Sequence, residues 1–291
     1  MAHGAHQHGH GDHAKGHGHG DGHHVKGHGK SHEKGHGKGH GHGPHHSGHP
    51  DDADLRFSEP RPGDRGRIEA VWPFVREQLP AAPGSVLEIG CGVLGGFVPL
   101  LRDEGYHAVG VDPEVPEAPD FVRSRYEDYR PDAEDLPFDA VVGCLSFHHV
   151  EDLDLLLARA ASQLRPGGLL ILREWAREEF DEVTARWCFE RLPEEQDEQS
   201  PAWWLAGHRE GWREAGGSWE AYFQGWAEGH GLLSGAAMLR ALEASPFETV
   251  SLERDPYFHT ALAGVTEAEE RAGVDAGLLR ANGMRYVGRR P

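Results

Sequence analysis

At 291 residues the chain is long enough for one sizeable domain with appendages. Its formal charge of −19 is unevenly placed: the first 50 residues carry five lysines against three acidic residues, leaving the remainder near −21. A body that acidic repels phosphate backbones and argues against bulk nucleic-acid binding. No apolar run approaches a membrane-spanning length, and the N-terminus lacks the apolar core of a signal peptide. Cys91, Cys144 and Cys188 are too widely spaced for a zinc knuckle or redox pair. A cytoplasmic protein with reduced thiols and no membrane contact is expected.

Residues 1–50 form a low-complexity tail in which seventeen histidines, from His3 to His49, alternate with glycine, lysine and serine. Such a composition cannot bury apolar surface, so it is expected to be disordered. Neutral imidazoles favour Ni, Zn, Cu and Co, and a pliable chain can wrap several onto one ion. His17, His19, His23, His24, His40, His42, His45 and His46 are the candidate ligands, non-specific in character. Metal storage, metal delivery and simple solubilisation all fit the composition. A Pro- and Asp-rich linker, 51–63, leads into the folded domain, 64–291.

Asp64 is placed to cap a helix over 65–79 with Ile68, Val71, Trp72 and Val75 on one side, and Pro73 predicts a kink or a later start. A short apolar run, Val86 to Ile89, then breaks into glycines and resumes at helical spacing with Phe97, Val98, Leu100 and Leu101. Further strands are predicted at 107–111, 121–123, 138–145 and 169–172, with a helix over 153–164. Alternation of this kind gives a parallel sheet covered by helices on both faces. After Trp175 the pattern changes. A helix over 180–192 and an acidic loop over 193–201 precede seven aromatic residues between Trp203 and Trp226. Trp219, Phe223, Trp226 and His230 share one helical face, the three aromatics more as core than as substrate cage. A helix over 236–243 and strands at 248–253 and 284–288 close the chain, making a late helical insertion of about 177–245 in an α/β sheet.

Two readings compete for the glycine turn. Residues 90–95 fit G-x-G-x-x-G, the dinucleotide fingerprint, with Asp112 at the distance for a ribose contact. That pattern implies an NAD(P)-dependent oxidoreductase. The other reading includes Glu88, whose carboxylate beside the turn suits an ammonium or sulfonium and repels a pyrophosphate. Asp112 then accepts from both ribose hydroxyls. This second ligand is S-adenosylmethionine, although Glu88 could also simply cap the turn.

The chain here resembles the class I S-adenosylmethionine-dependent methyltransferases, in their small-molecule, type 11-like branch. The resemblance rests on Val-Leu-Glu-Ile-Gly-Cys-Gly at 86–92, Gly-Val-Asp at 110–112, Phe-Asp-Ala-Val-Val at 138–142, Ser-Phe-His-His-Val at 146–150 and Leu-Arg-Pro-Gly-Gly at 164–168. These five motifs stand in order over about 84–175. The family's third loop glycine often falls where Leu94 stands, one residue before Gly95.

The resemblance implies a Rossmann-like fold with a mostly parallel seven-stranded sheet, and a methyl transfer to an unidentified small-molecule acceptor. It implies that Glu88, Gly90 and Gly92 line the methionine moiety, with Cys91 and Gly95 in the same loop. Asp112 would hold the ribose, Glu127 or Asp128 would sit near the adenine amino group, and Leu145 and Ser146 would border the transferring methyl. His148 and His149 are candidates for a general base, at least one of them with a structural role, and His230 is a candidate for the substrate pocket. Transfer needs in-line positioning, and a base only when the nucleophile carries a proton, so O, N, C and S acceptors all stay open. The rival readings are the oxidoreductase and a metal-binding or delivery protein working through the tail.

Overall fold

Val86, Leu87 and Ile89 lie in the middle of a seven-stranded sheet in a computed structural model that describes residues 60–194 and 198–291. The histidine-rich tail, its expected disorder and its candidate metal ligands lie outside the described residues. The strands are β1 (Ser85–Ile89), β2 (His107–Val111), β3 (Phe121–Val122), β4 (Phe138–Cys144), β5 (Leu164–Trp175), β6 (Glu248–Asp255) and β7 (Gly283–Arg289). Their order is β3-β2-β1-β4-β5-β7-β6. The first five pair in parallel; β7 runs antiparallel to both β5 and β6.

Side chains alternate across the sheet and so divide the core in two. On one face Val86, Ala140, Val142 and Ile171 pack with Val71 and Val75 of α1 (Asp64–Gln78) and Leu101 of α2 (Val98–Asp103). On the other, Leu87, Val141 and Leu170 pack with Leu157 of α3 (Leu153–Gln163) and, further along the chain, Met238 of the helix Gly235–Ala244. Strands buried on both faces need continuous apolar runs, which is why these stood out in the sequence.

The insertion has its own core. α4 (Glu182–Phe189), α5 (Trp203–Ala215) and α6 (Trp219–Gly229) enclose Phe180, Leu205, Trp219 and Phe223 and pack on Trp175 at the end of β5. α7 (Gly235–Ala244) and α8 (Glu267–Asp275) complete the helices among the described residues. No helix of the described residues is long and apolar enough to cross a membrane.

Four elements differ from expectation. α1 begins at Asp64 and contains Pro73; Gly63, with φ of 91°, takes the cap position, and Asp64 accepts from the Arg61 N–H at 2.9 Å. β5 starts at Leu164 because the Pro-Gly-Gly turn stays in the sheet: the Gly167 N–H donates to the Arg290 carbonyl, and the Gly168 carbonyl accepts from the Arg290 N–H. The helix expected over 180–192 is shorter, held at its start by Asp181 accepting from the Thr184 N–H. His230 follows α6 as its exposed C-cap, so it is off the packed face that buries Trp219 and Phe223.

Trp219 is fully buried and its indole N–H donates to the Phe180 carbonyl. Trp219→Ala is expected to cost about 3–5 kcal/mol in urea unfolding, while Trp203→Ala, at a residue 41% exposed, costs less than about 1 kcal/mol. Equal losses would mean that the insertion does not fold around Trp219.

Candidate active site

The strand order reverses between β1 and β4, and the chain leaves both at their carboxyl ends, where open α/β sheets bind ligands. At the end of β1, Gly90 has φ of 81°, and a Cβ there would lie 2.2 Å from that of Ser146. Gly92 has φ of 64°, and a Cβ there would meet nothing within 4 Å, so it would intrude on the cavity that Gly92 lines. Glu88 is 1% exposed, and its Oε2 accepts from the Phe97 N–H at 2.7 Å. Burial pushes its pKa up to about 8, against the pull of the loop amides. Asp112, after β2, accepts from the Gly92 N–H at 2.9 Å and from the Glu114 N–H at 2.7 Å.

These groups line a cavity of about 480 Å³. Glu88, Gly90, Cys91, Gly92, Asp112, Glu127, Leu145, Ser146 and His149 all border it. Gly95 and Asp128 do not. Gly95 backs onto the Phe121 ring, 2.6 Å from where its Cβ would lie, and Gly96 lines the cavity instead. Asp128 is exposed, in a turn closed by its N–H to the Arg125 carbonyl. Asp64, Arg67 and Ile68 of α1 form a wall that the sequence reading did not anticipate.

At the end of β4, Leu145 has φ of 54°, the only left-handed non-glycine among the described residues. Its N–H donates to the Arg173 carbonyl at 2.8 Å, and the Ser146 hydroxyl donates to the Ile89 carbonyl at 2.7 Å. Glu174, fully buried near the end of β5, accepts from the N–H groups of Ser146 and Phe147 through Oε1 and from His148 Nδ1, at 2.7 Å, through Oε2. Burial would raise its pKa, but His148 and the two amides outweigh it and hold the carboxyl below its usual range.

A second cavity of about 490 Å³ lies under the insertion, bordered by Trp203, Trp204, Trp226, Tyr257 and His208. It brings together His148, His149 and His230, and it shares Arg61, Asp64, Arg67, Leu145 and His149 with the first. Desolvation, then the neighbouring His148, depresses the His149 pKa. Burial pushes His208 down to about 4. His208 gave no motif signal in the sequence; its only cue was its place among closely spaced tryptophans.

The donor set decides between the two ligands. A dinucleotide needs free amides after the glycine turn for its pyrophosphate. Here the Phe97 N–H is already taken by Glu88, and Asp112 holds that of Gly92. Carboxylates on both sides of an open glycine cradle suit instead a ligand with an ammonium and a ribose, and S-adenosylmethionine has both. A family model described as a methyltransferase domain matches residues 64–252.

The chain belongs to the S-adenosylmethionine-dependent methyltransferases.

Neither the oxidoreductase nor the metal-delivery reading finds support in that match. Similar solved structures include an S-adenosylmethionine-dependent methyltransferase from Mesorhizobium loti, at 19% identity and TM-score 0.46, covering 77% of this chain and 100% of the other. Another, from Thermotoga maritima, is described as a possible histamine N-methyltransferase, at 16% identity and TM-score 0.46, covering 79% and 91%. A third is the N-methyltransferase NodS of Bradyrhizobium japonicum in complex with S-adenosyl-L-homocysteine, at 13% identity and TM-score 0.43, covering 80% and 90%. No curated protein matches the chain in sequence.

The folded methyltransferase holds a proton on Glu88 between its ordinary value of 4.5 and about 8, where the unfolded chain has lost it. Stability contributed by this group therefore falls as pH rises through that window. Glu88→Gln should remove this part of the slope, so that urea midpoints of variant and wild type diverge in the variant's favour from about pH 5 to 8. Parallel curves would contradict the buried, proton-holding carboxyl.

Proposed function

We propose that this methyltransferase acts on a small organic acceptor seated in the aromatic cavity, with cofactor and acceptor meeting at the wall of Leu145, His149 and Arg67. The observation that carries this reading is that the two cavities share those residues, one lined by carboxylates and glycines and the other by indoles. Glu88, Gly90, Cys91 and Gly92 are assigned to the methionine end, Asp112 to the ribose hydroxyls, and Glu127 to the adenine amino group. When bound, S-adenosylmethionine supplies an electrophilic methyl group on a sulfonium centre.

The chain's own part is to bind, orient and exclude water. Each Asp112 oxygen accepts one backbone N–H and keeps a further lone pair for a hydroxyl. A cation beside Glu88 lowers its pKa, so binding expels a proton from this carboxyl near neutral pH. Ser146 and Leu145, tied to β1 and β5 by the bonds described above, hold the reacting end of the pocket in one position.

Calorimetry with S-adenosylhomocysteine tests the assignment. Asp112→Ala should weaken binding by about 10–100-fold, the loss expected for a charge-assisted pair. Binding to wild type should release protons in amounts that Glu88→Gln abolishes. Absent binding at millimolar ligand, or an unaffected Asp112→Ala, would sink the site.

A further inference from the structure

The aromatic cavity discriminates by charge. Trp175 stacks on Tyr257 with centroids 5.6 Å apart and planes 10° apart, and Trp204 meets Trp175 edge-on at 5.9 Å. Walls of this kind take a flat ring through stacked and edge contacts. Asp64 is the only carboxylate among the described lining residues, and it is engaged by the Arg67 guanidinium at 2.5 Å and the Arg61 N–H at 2.9 Å. The cavity's other charged groups are the guanidiniums of Arg61 and Arg67. A cationic amine would find aromatic faces there, but also the Arg61 guanidinium, one net positive charge once Arg67 is paired with Asp64, and no open carboxylate among the described lining residues. A neutral ring meets no such penalty, and an oxygen gaining negative charge is favoured.

The same cavity holds an oriented imidazole. An ionised carboxylate only accepts, so the hydrogen bond to Glu174 Oε2 places the ring proton of neutral His148 on Nδ1. Nε2 is then the basic nitrogen. Groups facing this pair are Glu174 on β5, His149 with its ring 4.3 Å away, Arg61 ahead of α1, Arg67 on α1, and His230 after α6.

We infer that the acceptor is a planar hydroxy compound, a phenol or enol, whose proton passes to His148 Nε2 while Glu174 fixes the ring. The inference rests on the two joined cavities being the cofactor and acceptor sites. The acceptor's O–H bond breaks, with its proton going to Nε2. The oxygen's electron pair forms the new bond to the methyl carbon. The carbon–sulfur bond breaks with its pair left on sulfur, giving S-adenosylhomocysteine, and nothing is oxidised or reduced. His148 is the base; Glu174 is a positioning residue that never meets the acceptor.

The test uses the full chain saturated with S-adenosylhomocysteine, titrated by calorimetry with 2-naphthol and with 2-naphthylmethylammonium. The absorption of bound naphthol is then followed over about pH 6 to 9. Naphthol should bind at least about tenfold more tightly than the ammonium compound, and Trp203→Ala should weaken naphthol by about threefold or more without changing S-adenosylhomocysteine affinity. Bound naphthol should ionise at lower pH than in water, and both His148→Asn and Glu174→Gln should return its ionisation toward the free value. The His148 variant decides the point if Glu174→Gln fails to bind S-adenosylhomocysteine. Tighter binding of the ammonium compound would overturn the acceptor class, and an ionisation unchanged in His148→Asn would overturn the base. Loss of naphthol binding alone leaves the cofactor assignment standing, whereas loss of S-adenosylhomocysteine binding by wild type removes both.

Discussion

Glu174 is the constraint on which the site depends. A fully buried carboxylate is costly unless hydrogen-bonded, and both of its oxygens are engaged by the turn that follows β4. That turn cannot shift without stranding the charge. Its fixed position leaves Leu145 in a left-handed conformation at the junction of the two cavities, and it brings Ser146 against Gly90, closing the glycine cradle. Glu174 on β5 thus fixes the turn after β4, and the Ser146 hydroxyl of that turn reaches the end of β1 at the Ile89 carbonyl.

Three more glutamates hold chain segments in the same way. Glu88 takes the Phe97 N–H ahead of α2, Glu178 takes those of Gly235 and Ala236 at the start of α7, and Glu270 takes those of Tyr257, Phe258 and His259. At a helix start an acceptor also meets a favourable dipole. Tyr257 lines the aromatic cavity, so the Glu270 contacts place part of its wall. Part of the chain's large acidic excess is therefore structural, directed at backbone amides.

The sheet's centre was legible because β1, β2 and β4 are buried on both faces and read as apolar runs. Glu88 and Asp112 were legible because each sits at or just after the end of such a run. Other features left weaker traces. Asp64 reads in the sequence as a helix cap and Arg67 carries no motif, and only the packing of α1 brings them to the junction. α8 carries three glutamates in its first turn and little apolar periodicity, so nothing marked it as an element. The antiparallel direction of β7 leaves no mark, because a strand buried on both faces reads alike in either direction. Glu174 did leave a signal: Arg173 and Glu174 directly follow the apolar run at 169–172 within a sheet strand, and charges buried there need partners.

The aromatic cavity is lined largely by the insertion's core and the glycine-turn cavity by the sheet, so under the proposed function acceptor choice rests on a different core from cofactor binding. The claim that ties them together is that the transferring methyl lies at their shared wall. A crystal structure of the full chain with S-adenosylhomocysteine tests this directly. The account predicts the ribose on Asp112, the adenine toward Glu127, and the sulfur at the Leu145–His149 wall facing the indoles. A ligand seated among the tryptophans, or one with its sulfur turned away from that wall, would contradict it.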